Sequence, residues 1–177
     1  MLKVESRRQV LMAGALAAAG MSLPLEARCA PASGGISRTA ESIHLEPEFS
    51  ASRARVYAAL TEANQFDQVV QLSGVMKGIE AKVPTTLSNV EGSAFALFGG
   101  YITGRQVLLR PNELIVQAWR SASWGPDFFS IARFQIVDLS GGSKIIFDQG
   151  GFPQGQAQSL AAGWQANYWT PIRKLLV

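Results

Sequence analysis

A chain of 177 residues, 47% apolar and 16% charged, is long enough for one domain with a self-sufficient core. Its formal net charge of +3 owes much to the first 32 residues, where Lys3, Arg7, Arg8 and Arg28 stand against Glu5 and Glu26. The remainder is nearly neutral, which removes the electrostatic case for a nucleic-acid partner or an anionic membrane surface, and the lone Cys29 excludes an internal disulfide.

Ser6-Arg7-Arg8-Gln9-Val10-Leu11 sets two arginines directly before a weakly apolar stretch, Val10 to Gly20. That order predicts a twin-arginine signal peptide over 1–32, which delivers the rest of the chain to a bacterial periplasm. Small residues place cleavage after Cys29 or Ala32, and Arg28 argues against lipidation of Cys29. The stretch is Ala-rich and broken by Ser22 and Pro24, so no stable membrane span is predicted. An uncleaved anchor or amphipathic arm is the alternative. Residues 33–41, with Ser and Gly, read as a flexible lead-in to a single domain over 42–177.

Within that domain, Ser42 to Phe49 alternates apolar and polar residues and predicts a strand, with Pro47 assigning it to a sheet edge. Ser52 is a suitable cap for a helix to about Thr61, and a second short helix is predicted over Asn64 to Leu72. Ser73 to Glu91 reads as an irregular connection bordering a pocket. From Ser93 to Gln149, alternating runs are separated by Gly99-Gly100, Pro111-Asn112 and Gly141-Gly142, which predicts an antiparallel meander of four strands. Ala157, Leu160, Ala161, Trp164, Tyr168, Ile172 and Leu175 then recur every three or four residues, the signature of a final helix with one apolar stripe packed on the sheet.

Phe95-Ala96-Leu97-Phe98-Gly99-Gly100-Tyr101-Ile102-Thr103-Gly104 resembles the hairpin of the activator of Hsp90 ATPase family. Arg110 to Arg120, Trp124, Gly151-Phe152-Pro153, Gly163-Trp164 and Tyr168-Trp169-Thr170-Pro171-Ile172 follow in the family's order, so the resemblance runs from about Ile43 to Leu176. It implies the α+β START-like helix-grip fold, a curved antiparallel sheet wrapped around a long C-terminal helix, often with a hydrophobic cavity between them. Under that implication Phe95, Trp119, Phe134, Trp164 and Tyr168 are the ligand-pocket candidates, Trp164 and Tyr168 foremost because they stand one helical turn apart. Arg120 and Arg133, each at or within a strand, are the possible anion anchors.

Catalytic chemistry is sparse. His44, the one histidine, falls on the polar face of an edge strand, and no nucleophile with a base and orienting group can be assembled. No metal-ligand spacing or phosphate loop occurs, so neither metal nor cofactor is expected. Glu113, Asp127, Asp138 and Asp148 lie near strands, where an inward carboxylate would serve as a base and an outward one is solvated. The leading expectation is a non-catalytic binder of a small hydrophobic or amphipathic ligand. A protein-interaction module like the family's co-chaperones is the alternative, and a cyclase- or hydrolase-like enzyme with a cavity carboxylate is the second.

Overall fold

Alternation at the start of the domain is realised as two short strands, β1 (Ser42–Leu45) and β2 (Glu48–Phe49), that bury Ile43 and Phe49. The computed structural model describes residues 41–74 and 83–177; the expected export signal with Arg7 and Arg8, residues 33–40 of the lead-in, and part of the connection after Ser73 lie outside them. Both strands pair with β7 (Gly142–Gly150), so Pro47 between them sits at an edge where its missing N–H leaves no gap in a ladder. Helix α1 (Arg53–Thr61) begins where the Ser52 hydroxyl accepts from the Arg55 amide, and it buries Val56, Tyr57, Ala59 and Leu60. Only Glu62, in an extended conformation, separates it from α2 (Ala63–Leu72), which buries Phe66 and Val69.

Beyond the connection come β3 (Ala94–Leu97), β4 (Ile102–Arg110), β5 (Leu114–Ser121), β6 (Ser130–Leu139) and β7, five strands where four were expected. Gly99-Gly100 separates β3 from β4 as expected, and the extra strand comes from the return through Trp124 that breaks β5 from β6, which none of the three expected turns marks. The seven-stranded antiparallel sheet runs β1-β7-β6-β5-β4-β3, with β2 alongside β7. Along β5 and β7 every second residue is buried, so one face carries Ile115, Gln117, Trp119, Ile145, Phe147 and Gln149 while the other is wet. A bulge at Val107, where the β4–β5 register shifts, adds curvature.

The C-terminal helix lies against the buried face. It is α-helical as α3 (Ala157–Trp164), widens to a π turn over Gln165–Trp169 and resumes as α4 (Thr170–Leu175). Pro171 explains the widening. In a regular helix its ring would clash with the Asn167 carbonyl and it has no N–H to offer, whereas here the Thr170 amide bonds five residues back to Gln165. The extra residue rotates Trp169 onto the face already held by Trp164. Their rings stack with centroids 5.4 Å apart and planes 18° apart. A strict α-helix would set the two about 140° apart. Phe134 and Phe147 from the sheet complete this cluster.

Candidate functional site

At one end of the sheet the packing opens into a cleft of about 220 Å³ between β5, the β3–β4 turn and the C-terminal helix. The β5 wall is Trp119 and Ser121, consecutive inward positions of the strand. Immediately after it the chain turns back, with the Trp124 amide donating to the Ser121 carbonyl. This return sets the Trp124 ring edge-on to Trp119, 5.3 Å between centroids. The Trp124 indole N–H donates to Gln156 Oε1 at 2.7 Å, tying the turn to the residue that precedes the helix. From the helix, Leu160, Gly163, Trp164, Asn167 and Tyr168 form the opposing wall.

The third wall is the β3–β4 turn, in which Phe98, Gly99 and Gly100 have φ of 51°, 64° and 86°. Glycine adopts this region freely; phenylalanine does so at a cost of order 1–3 kcal/mol. Burial of the Phe98 ring against Phe66 and Tyr168, at 5.2 and 5.3 Å, offsets the cost and aims the turn at the cleft.

Two of the lining residues have a polar atom buried without a well-formed hydrogen bond, Trp119 Nε1 and Tyr168 Oη. Burial pushes the Tyr168 hydroxyl far above the ordinary tyrosine range, while the neighbouring Trp119 indole N–H pulls weakly the other way. The phenol is therefore neutral across physiological pH. Because its oxygen makes no well-formed hydrogen bond and meets only the Trp119 indole N–H, Tyr168→Phe is expected to change the thermal unfolding midpoint little. A drop of several degrees in a circular-dichroism melt would reveal an interaction the geometry does not contain.

The structure brings Trp119, Trp164 and Tyr168 together around the cleft, and it separates the other candidates from them. Phe95 lies over Gly104, its cross-strand partner, in the closed core. Phe134 is equally enclosed, by Phe147, Trp164 and Trp169. Neither lines the cleft.

Arg120 and Arg133, the possible anion anchors, lie away from the cleft, because alternation along the strands turns both to the wet face of the sheet. Arg120 donates to the carbonyls of Trp124 and Gly125, bracing the turn from outside. Arg133 faces Asp148 at 3.6 Å and donates to Gln135 at 2.7 Å. The carboxylates Glu113, Asp138 and Asp148 are likewise solvated. Ser121, Ser123, Gln156, Ser159 and Asn167 bring further polar side chains to the cleft and were not anticipated. Asn167 could have been suspected as a polar residue between two aromatic positions of an apolar stripe.

Among the described residues no group of three or more His, Cys, Asp or Glu is arranged to hold a metal ion, and no helix is long and apolar enough to cross a membrane. On the wet face His44 Nδ1 lies 2.7 Å from Asp148 and Nε2 3.3 Å from Glu46. These hydrogen bonds, Asp148 first, hold its imidazolium above the usual 6.5. A raised folded value contributes stability that is fully present below the unfolded value, near 6.5, and is lost as pH rises through the folded one. An NMR titration of this single histidine is expected to give a midpoint above 6.5, and Asp148→Asn should bring it back towards 6.5. A midpoint unmoved by that substitution would contradict the assignment.

A sequence profile described as "Activator of Hsp90 ATPase homolog 1-like protein" matches residues 50–176. The chain is 27% identical over 136 residues to "Activator of 90 kDa heat shock protein ATPase homolog" of Dictyostelium discoideum, covering 76% of this chain and 33% of that protein. Against "Activator of 90 kDa heat shock protein ATPase homolog 2" of Mus musculus it is 27% identical over 96 residues, 54% of this chain and 29% of the relative. It thus spans about a third of the length of these curated relatives. Among solved structures, an HSP90 activator from Plasmodium falciparum superimposes with a TM-score of 0.65 at 19% identity, covering 76% of this chain and 95% of the other. An uncharacterized Rhizobium leguminosarum protein gives 0.63 at 18% identity, covering 77% and 94%. At these identities the structural likeness concerns the fold alone. Together with the match over most of the domain, the curved sheet gripping a C-terminal helix establishes that the chain belongs to the Activator of Hsp90 ATPase homolog 1-like family, with the START-like helix-grip fold.

Proposed function

We propose that this chain is an exported, non-catalytic binding protein that holds a small hydrophobic or amphipathic molecule in the cleft between the sheet and the C-terminal helix. The observation that carries the reading is the aromatic cleft itself, two of whose lining residues, Trp119 and Tyr168, carry buried polar atoms that lack a well-formed hydrogen bond. Orphaned buried polar groups are costly, and a ligand is one means of satisfying them. At about 220 Å³ the cleft lies below the ~300–1,000 Å³ of drug-sized sites, so the ligand is about the size of a single ring system. Among the described residues no carboxylate, histidine, lysine or arginine lines it, which favours binding over acid–base catalysis.

Native mass spectrometry of the gently purified protein tests this. A bound small molecule is expected on the wild type and not on Gly163→Leu. Gly163 lines the cleft, and a Cβ built there meets nothing within 4 Å, so the larger side chain fills the space without displacing backbone. A wild type that carries no adduct and takes up none from a panel of small aromatic compounds would refute the reading. Export rests on Arg7 and Arg8, and replacing both with lysine is expected to leave precursor in the cytoplasm.

A protein-interaction role is the second reading. Family membership favours it, as do Phe128, Phe129 and Ile131, each 50% exposed around the start of β6. It predicts that adding the chain to a purified Hsp90-type chaperone changes the rate of ATP hydrolysis. An unchanged rate at micromolar concentrations would remove it.

A further inference from the structure

Resting on the binding reading above, we infer that the cleft selects an uncharged aromatic molecule bearing a carbonyl oxygen, which takes hydrogen bonds from Trp119 Nε1 and Tyr168 Oη together. Both atoms are buried without a well-formed hydrogen bond, the Trp119 N–H approaching only the Tyr168 oxygen, and they come from different elements, one from β5 and one from the π turn. Their rings flank the same Trp164, with centroids at 5.5 Å and 4.1 Å from it, so both belong to one end of the cleft. An indole nitrogen can only donate, and the hydroxyl is free to donate when an acceptor arrives. The Trp124 indole, by contrast, is already committed to Gln156, and the Ser121 and Ser123 hydroxyls to each other at 2.8 Å. The unmet demand is for an acceptor.

Charge decides between acceptors. A carboxylate would also fill the two donor positions, but burying an anion needs a compensating cation. None lines the cleft among the described residues, and Arg120, next to Trp119 in the chain, points to the other face of the sheet and donates to backbone carbonyls. A hydrocarbon would suit the aromatic walls yet leave both donors unpaired. A neutral carbonyl meets both conditions, while the Trp119, Trp124 and Trp164 faces accept a planar ring.

Three probes of equal heavy-atom count separate these cases: acetophenone (neutral acceptor), α-methylstyrene (no acceptor) and benzoate (charged acceptor). Binding is read at pH 7 from the indole N–H signals of the four tryptophans, assigned with Trp119→Phe and Trp124→Phe. Acetophenone is expected to bind about tenfold more tightly than either analogue, the size expected of one or two net hydrogen bonds. It should shift the Trp119 signal most. Tyr168→Phe, whose fold is independently checked by its melt, is expected to weaken acetophenone severalfold and leave α-methylstyrene unchanged.

Equal affinity for acetophenone and α-methylstyrene would overturn the acceptor inference while leaving the cleft as a binding site. Tightest binding of benzoate would overturn the charge selection in the same way. No shift of any indole signal with any probe would overturn both this inference and the binding reading on which it rests.

Discussion

Trp164→Ala is expected to destabilise the domain by about 4–8 kcal/mol. Removing a buried tryptophan costs about 3–5 kcal/mol in lost transfer energy and cavity. Trp164 sits at the centre of the aromatic cluster, stacked on Trp169 and in contact with Trp119, Phe134, Phe147 and Tyr168. Its indole N–H also donates to Gln149 Oε1 at 2.6 Å. The Gln149 amide donates on to Ser130 Oγ at 2.8 Å, and Ser130 donates to the Trp119 carbonyl at 3.1 Å. Truncation leaves the Gln149 oxygen buried and unpaired, adding about 1–3 kcal/mol. For a domain of this size the unfolding midpoint should fall by roughly 10–20 °C. Trp164→Phe retains an aromatic ring but loses part of the indole volume together with the N–H, so it should cost less than the alanine variant while still leaving Gln149 unpaired. A fall of less than about 3 °C for the alanine variant would contradict the packing described.

Gly104→Ala is the second large effect, and it acts through the backbone. Gly104 lies between Phe95 on β3 and Trp119 on β5 in the pairing register. A Cβ built on it would fall 2.1 Å from the Ala118 carbonyl oxygen and 2.4 Å from the Phe95 ring, so the strands must part or the ring must leave. Forced overpacking of this kind costs about 1–3 kcal/mol, and a backbone obstacle puts it at the upper end, about 3 kcal/mol. Because the displaced elements carry the Trp119 wall, probe affinity should fall along with stability. Gly163→Ala is the control. In the helix, with open space around its Cβ, it is expected to raise stability by about 0.5–1 kcal/mol. Denaturant titration of the two variants side by side should give changes of opposite sign, and equal changes would mean that glycine content rather than local geometry governs both.

Much of the fold was legible because its punctuation is chemical. Gly99, Gly100 and Gly141 have positive φ, as does Asn112 at 65°, and few other residues tolerate that region, so the turns announced themselves. The Ser52 cap and the 2-residue alternation of β5 and β7 were visible for the same local reasons.

The π turn was not. An apolar stripe counted at three and four residues predicts Trp164, Tyr168 and Ile172 inward and leaves Trp169 out of the pattern, yet Trp169 is fully buried. Pro171 was the available signal, since a proline inside a helical pattern must disturb the preceding turn. Alternation also held the answer for the arginines. If Trp119 and Phe134 face inward, their sequence neighbours Arg120 and Arg133 face outward. What local sequence does not encode is depth along a strand. Phe134 and Trp119 both point inward, but only Trp119 stands where the helix leaves room, and that depends on how the helix, the Trp124 return and the Phe98 turn meet in space.

The central claim, that the space between β5 and the C-terminal helix is a ligand site, is tested most directly by a crystal structure of the full chain grown with acetophenone. The account predicts an ordered ligand against Trp119, Trp124 and Tyr168, its oxygen within hydrogen-bonding distance of Trp119 Nε1 and Tyr168 Oη. A cleft closed by those side chains, or a ligand ordered elsewhere on the protein, would contradict it.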